Sequence, residues 1–243
     1  MKKIIFLFLI FALNSYGEEP ESQFEEDPFE DFNRVVFTVT DKVDQSILRP
    51  TAEIYGEYTP IFVKDSVSNF FNNLGEVDTI VNQILQGKFK LALDDTFRFF
   101  INSTFGIAGI FDVATGVGLE RHDEDFGQTL GYWGFPTGAY VFAPFVGPTT
   151  IRDFFAYPTG WYFSVNTVFD DDAQKILITS LDVVETREQL LVAENLIVGD
   201  KYSFVKDVYF QSRESDVLDG DVEDDFLMDF NFEDLDSDLL ENP

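Results

Sequence analysis

The sequence predicts an all-α domain in which amphipathic helices surround a long, glycine-rich apolar module. Three observations carry that expectation. Apolar residues recur at spacings of three and four through most of the chain, the period of one helix face. Helix starts and stops, such as Asp27-Pro28 and Gln86-Gly87, bracket those stretches. Between Asp125 and Arg152 lie 26 residues without a charge, FGQTLGYWGFPTGAYVFAPFVGPTTI, broken by five glycines and three prolines. This run is as long as a membrane span, but a spanning helix must bond all its backbone groups internally. Pro136, Pro144 and Pro148 each remove a donor, and Gly131, Gly134 and Gly138 loosen the backbone. Irregular apolar backbone of this kind belongs under protein or along a cavity wall.

The elements follow in order. Lys2 and Lys3, the apolar stretch Ile4–Leu13, and Ser15 and Gly17 read as an export signal over residues 1–17. Residues 18–26 begin an acidic segment. At Asp27-Pro28-Phe29-Glu30 a helix is expected, with Asp27 as cap, Pro28 in the first turn and Glu30 completing a capping-box-like pattern. Phe29, Phe32, Val36, Val39 and Val43 form its apolar face, and Arg49-Pro50 is expected to end it. A second helix is expected after Pro60, with Ile61, Val67, Phe70, Phe71 and Leu74 as its face. A third covers Val77–Leu85 and stops at Gly87, and a fourth covers Phe89–Ile101, with Phe89, Leu93, Phe97 and Phe100 on one side.

From Asn102 the period is lost. Gly106, Gly109, Gly116 and Gly118 interrupt an apolar stretch, the polar residues 120–125 follow, and then comes the charge-free run. Residues 102–151 therefore read as one irregular module, long enough to be functional. Helix resumes near Asp170-Asp171-Asp172, which suit an N-terminus. A last helix covers roughly Lys201–Ser212. The domain spans 27–213, and 214–243 reads as an acidic, disordered tail in which Phe226, Phe230 and Phe232 offer an alternative docking peptide. There is no internal repeat.

Composition narrows the function classes. The net charge is −29, and much of it sits on the flanks: residues 18–31 and 214–243 carry acids and no base. Nucleic acid is therefore disfavoured, because phosphate backbones need clustered bases. The absence of cysteine excludes disulfides, thiol catalysis and thiolate metal sites. The 29 phenylalanines make either an aromatic core or a lipid-facing surface.

A search for reaction chemistry finds little. His122, the only histidine, neighbours Asp123, Glu124 and Asp125, which suggests either a metal cluster or a solvated loop; the loop is preferred and no metal is expected. No G-x-S-x-G turn supports a nucleophile. Asp125-Phe126-Gly127 lacks the other kinase motifs, and the glycines lack dinucleotide spacing. No catalytic residue and no cofactor are expected. The remaining parts suit a collar around an opening wide enough for a lipid chain, or a plain soluble bundle.

Seven blocks carry a family resemblance: DPFEDFNRVVF (27–37), NFFNNL (69–74), VNQILQGK (81–88), RFFINSTFGIAGIFDVA (98–114), EDFGQTLGYWG (124–134), GAYVFAPFVGPTTIRD (138–153) and YSFVKDVYFQSR (202–213). In order and spacing they resemble the MlaA/VacJ family. The resemblance implies a ring of interfacial helices around a central amphipathic channel, held in the inner leaflet of a Gram-negative outer membrane. It implies retrograde passage of mislocalised outer-leaflet phospholipid to a soluble MlaC-like periplasmic carrier, beside a trimeric porin, with no catalysis. The alternative is a non-transporting adaptor that links porin to carrier. Members are typically lipoproteins, whereas this chain lacks a lipobox cysteine, and Ala139 and Phe142-Ala143 depart from the usual pattern. Under this reading Gly106, Gly109, Phe111, Gly127, Tyr140, Pro144, Gly147 and Pro148 form the channel or its rim. Arg152 and Asp153 either orient headgroups or pair within the protein, the second reading ranking higher.

Overall fold

The computed structural model describes residues 27–220, apart from 145, 164–167, 195–196 and 198. The expected signal, the acidic segment 18–26 and the tail beyond 220 lie outside the described residues. Helix α1 (Glu30–Val43) passes through a π-helical turn (Asp44–Leu48) into α2 (Arg49–Tyr58). The helical path thus continues where Arg49-Pro50 was expected to end it. Pro50 falls in the first turn of α2, just after the widened π turn, where the regular i−4 ladder is already broken and its missing N–H costs little.

Helix α3 (Ile61–Gln86) is one continuous element of 26 residues, about 39 Å long. The sequence suggested two helices, the second over Val77–Leu85, whereas the chain runs on unbroken through Gly75. The buried face of this half is polar, built from Asn73, Glu76, Thr79, Asn82, Gln83 and Gln86. It ends as expected at Gly87, whose φ of +79° allows Lys88 N–H to reach Gln83 O at 2.8 Å. Helix α4 (Phe89–Thr104) then packs back along α3.

The stretch 102–151 is more ordered than expected. It holds two short helices, α5 (Val113–Gly116) and α6 (Phe126–Tyr132), and an antiparallel hairpin of β1 (Tyr140–Ala143) and β2 (Gly147–Thr150). Asp112 and Asp125 cap the two helices through Thr115 N–H and Gln128 N–H. Helix α7 (Ile151–Phe163) was not anticipated, because Pro158 and Gly160 break its pattern. Helix α8 (Asp172–Ala193) starts at Asp171, as the aspartate run implied, and α9 (Lys201–Val217) starts at Asp200. Helix α9 runs four residues into the stretch read as tail. The fold is mostly helical, with this single hairpin among the described residues.

The packing closes on itself. Helix α1 meets β1, β1 pairs with β2, β2 meets α9, α9 meets α6, α6 meets α3, α3 meets α8, and α8 meets α2, which leads back to α1. Charge pairs tie the seam near α1: Arg187 to Asp44 at 2.7 Å, Lys201 to Asp41 at 2.6 Å, and Arg34 to Asp200 at 2.7 Å.

An aromatic core of Tyr140, Phe142, Tyr202 and Phe210 fixes the hairpin between α1 and α9. Phe37 meets Phe142 edge-on at 5.2 Å. Asn33 is buried beside β1, where its amide donates to Tyr140 O at 3.2 Å and its oxygen accepts from Phe142 N–H at 2.9 Å. One side chain so serves as a strand partner. Asp27 accepts from Phe29 N–H at 3.1 Å where the helix begins, in line with the expected cap, and also from the Asn33 amide at 3.0 Å and the Tyr202 hydroxyl.

Elsewhere the polarity is inverted relative to a protein folded in water. The apolar residues predicted as helix faces point outward: Phe32, Val39, Phe89, Leu93, Phe97 and Phe100 are all more than half exposed. The contact between α3 and α4 is polar instead. Arg98 reaches Glu76 at 3.3 Å and Asp112 at 3.3 Å, Gln83 donates to Asp95 at 2.5 Å, and Gln86 donates to Glu124 at 2.7 Å. No helix among the described residues is long and apolar enough to cross a membrane.

Candidate functional site

Between several of these elements lies a half-open cavity of about 460 Å³. It is walled by α3 (Asp78), the start of α6 (Asp125, Phe126, Gly127), the hairpin (Val146, Pro148, Thr149), α7, α8 (Thr179, Asp182) and α9 (Tyr209, Arg213). Its lining mixes aromatic, small and charged groups. An apolar groove of about 260 Å³ lies between α3, Ile110 and α8, lined by Val63, Val67, Phe70, Phe71, Ile178 and Leu181.

Charge in the cavity is organised around Arg213. Its two terminal nitrogens each donate to Asp125 at 2.7 Å, and its Nε donates to Asp153 at 2.9 Å. Asp153 also accepts from Arg152 Nε at 2.9 Å and from the Tyr209 hydroxyl at 2.6 Å. Burial alone would raise the Asp153 carboxyl, but Arg213 and then Arg152 hold it well below the usual carboxylate range. Burial would lower Arg213, but Asp125 and Asp153 outweigh it and raise the guanidinium further. Asp78 is pushed up to about 6 by burial and by the charge of Asp125, against a hydrogen bond from Asn82. Asp182 is raised by burial and by Glu185.

Of the residues expected at the channel, Gly127, Pro148 and Asp153 line this cavity. Gly127 is required there, since a Cβ would sit 2.3 Å from both Arg213 Nη2 and Asp153 Oδ1. Arg152 and Asp153 are buried and bonded to each other and to neighbours. Tyr140 lies in the aromatic core rather than on the cavity wall. Gly106, Gly109 and Phe111 form the turn after α4, apart from the cavity. There Gly109 has a φ of +87°, and a Cβ would sit 2.4 Å from the Asn73 side chain. Pro144 lies in the hairpin turn, exposed, and Gly147 opens β2 opposite Ala143.

The wall residues missed in the sequence include Asp78, Thr179, Asp182, Tyr209 and Arg213. Arg213 closes the last quoted block and is the signal that was available. The acids next to His122 do not cluster. His122 meets Asp95 at 3.1 Å, Glu124 turns to Gln86 and Lys88, and Asp125 turns to Arg213. Among the described residues no group of three or more His, Asp and Glu is placed to hold a metal.

Comparison with known proteins agrees with this architecture. A family model described as MlaA lipoprotein matches residues 25–216. The intermembrane phospholipid transport system lipoprotein MlaA of Escherichia coli (strain K12) is 34% identical over 200 residues, covering 80% of this chain and 79% of that protein. An uncharacterized protein of Rickettsia typhi is 41% identical over 127 residues, covering 52% of this chain and 51% of that protein. The chain thus spans about half the length of the rickettsial relatives of that kind. A solved structure described as the structural basis for maintenance of bacterial outer membrane lipid asymmetry superposes with a TM-score of 0.68. It shares 32% identity and covers 79% of this chain and 100% of its own. With the match running through every element from α1 to α9, this chain belongs to the MlaA family.

Proposed function

We propose that this chain passes phospholipids through the cavity between α3, the hairpin and helices α6 to α9, while lying in the inner leaflet of an outer membrane. The observation that carries this reading is the inverted polarity. Aromatic and aliphatic side chains cover the outer helix faces, and polar side chains fill the interior around a cavity. An apolar exterior is costly in water and favourable in acyl chains. Helices too polar on one face to span a bilayer lie along it instead, with the cavity as the route for a headgroup.

The names of the relatives support the same reading, since they describe an intermembrane phospholipid transport system and the maintenance of outer membrane lipid asymmetry. On this reading, mislocalised outer-leaflet phospholipid moves toward the periplasm and is taken up by a soluble MlaC-like carrier, with a trimeric porin beside the chain. Its role is geometric rather than catalytic.

A cavity-filling change tests the reading. Thr179 is exposed on the cavity wall, so Thr179→Trp narrows the route without disturbing buried packing. The expected result is more phospholipid in the outer leaflet and greater detergent sensitivity, as in a deletion strain, with porin co-purification unchanged. A deletion strain with normal outer-leaflet lipid would overturn transport. Normal transport in the folded Thr179→Trp variant, with transport lost only where porin co-purification is lost, would favour the adaptor role.

A further inference from the structure

The turn after α4 holds three consecutive residues in the left-handed region: Ile107 at φ +55°, Ala108 at +57° and Gly109 at +87°. Glycine adopts this backbone freely and asparagine tolerates it, whereas a β-branched residue is strained there. Ile107 is 62% exposed, so the fold does not bury the side chain that it strains. Phe105 before it and Phe111 after it are 76% and 54% exposed. Apolar side chains thus stand outward on a backbone that a smaller or polar residue would occupy more easily.

The hydrogen bonds show what the strained backbone achieves. The N–H groups of Phe105, Gly106, Ala108, Gly109, Ile110 and Phe111 all donate to carbonyls of the turn or of the end of α4. Ala108 N–H reaches back to Ser103 O at 3.0 Å and Gly109 N–H to Asn102 O at 2.9 Å, covering carbonyls that a helix end otherwise leaves to water. The Ile110 carbonyl accepts from the Asn69 amide at 3.4 Å. Polar side chains are engaged in the same way. Ser103 Oγ accepts from the Asn73 amide at 3.1 Å, the Asn102 amide donates to Asp112 at 3.0 Å, and the Thr104 hydroxyl donates to Phe100 O. No charged residue lies between Arg98 and Asp112, and those two pair with each other at 3.3 Å.

Water completes the bonds of an exposed turn, so a tip made for water has no need of this closure. A protein partner takes about one hydrogen bond per 100–200 Å² from the surface it covers, and this tip has few to give. Hydrocarbon asks for both features, an apolar exterior and a backbone bonded within itself. The turn also continues the outer ridge of α4, where Phe97 and Phe100 are more than half exposed. Resting on the reading above that the chain lies in a leaflet, we propose that the turn 105–111 inserts into the acyl layer as a wedge, with Phe105, Ile107 and Phe111 as its lipid-facing side chains.

The chain contains no cysteine, so Ile107→Cys places a single thiol, and an environment-sensitive fluorophore on it reports this position alone. The full labelled chain is diluted from detergent into vesicles of phosphatidylethanolamine and phosphatidylglycerol. The expected result is a blue-shifted emission that spin labels on the acyl chains quench and aqueous iodide does not. A second variant, Ile107→Asn, separates the wedge from a mere cap of α4. Asparagine tolerates the left-handed backbone, so the melting temperature in detergent holds or rises. Partition into the vesicles falls about fivefold or more, because an aliphatic side chain in lipid is exchanged for an amide. Circular dichroism checks the fold of each variant. Unchanged partition of folded Ile107→Asn, or a label open to iodide while the chain floats with the vesicles, would overturn the wedge and leave the leaflet reading standing. Shielding that arises only when a porin trimer is added would overturn it in favour of a protein partner. A parent chain that does not bind vesicles would overturn both.

Discussion

Arg213 holds Asp125 through both of its terminal nitrogens, at 2.7 Å each, so the last long helix is fastened to the cap of α6. The same guanidinium reaches Asp153 at the start of α7, and three elements of the cavity wall meet at one side chain. Replacing Arg213 with methionine takes the ion-pair partner from Asp125 and leaves buried Asp153 with Arg152 and Tyr209 alone. The expected loss is about 3–5 kcal/mol, because breaking a buried pair from one side exposes the desolvation cost of the other. Arg213→Lys keeps the charge but loses the two-point grip, and falls between. Urea unfolding in a fixed detergent measures both.

Gly127 and Gly147 separate packing from strain. A Cβ at Gly127 collides with Arg213 and Asp153, so Gly127→Ala is expected to cost about 1–3 kcal/mol and to disturb the Arg213 pairings. Gly147 has a φ of +93° but nothing within 4 Å of its Cβ position. Gly147→Ala therefore costs about 1 kcal/mol of backbone strain and leaves the cavity intact. Thermal melts of the two variants, compared side by side, check the ordering.

Asn33 supplies both halves of a ladder contact to β1. Asn33→Asp keeps the acceptor for Phe142 N–H and loses the donor to Tyr140 O, while Asn33→Ala loses both. The expected penalty is about 1–3 kcal/mol for alanine, because buried backbone groups are left unsatisfied. For Asp the sum includes a new buried charge beside Asp27, so its loss is at least as large. Amide exchange at Phe142 reads the local opening directly.

Glu76 sets a pH dependence of known sign. It is nearly fully buried, one of its oxygens has no partner among the described residues, and burial with the charge of Asp95 pushes it up to about 7 despite Arg98. A carboxyl raised in the folded state stabilises fully below its unfolded value near 4.5 and loses that contribution as pH rises through about 7. Stability is expected to fall by roughly 2–3 kcal/mol between pH 4.5 and 8 from this group. Glu76→Gln removes that slope and is relatively more stable at pH 8. A denaturation series across this window checks it.

The outer aromatic ridge of α4 makes a membrane prediction. Phe97→Glu changes a residue that is 58% exposed, so folding in detergent is expected to persist. Partition into vesicles falls severalfold, because one buried aromatic is exchanged for a charge in the interfacial layer. Flotation with liposomes is the measurement.

Much of the architecture was legible because caps and periods speak locally. Gly87 and Asp171 ended and began helices where the sequence placed them. Periodicity also found the amphipathic faces of α1 and α4, but it could not say which face is buried. A moment gives an axis and not a solvent, so Phe89 and Phe97 were legible as a stripe and not as an exterior. The same ambiguity split α3 in two, since a buried run of Asn73, Glu76, Thr79 and Asn82 resembles a break when burial is taken to mean apolar. Of the residues lining the cavity, Gly127, Pro148 and Asp153 lie in the uncharged run or at its edge, whereas Asp78, Asp182 and Arg213 come from three separate helices that only tertiary packing brings together. Tyr140 lies in the aromatic core, because alternation in a short strand turns it inward, toward Tyr202 and Phe210.

The outward-facing phenylalanines have a consequence for how such a chain completes its fold. A body with Phe62, Phe89, Phe97 and Phe105 on its surface has no finished form that water tolerates. Copies of the chain that completed their fold in water would associate through those rings. The last steps of folding therefore need an apolar surface at hand that covers the aromatics as they turn outward.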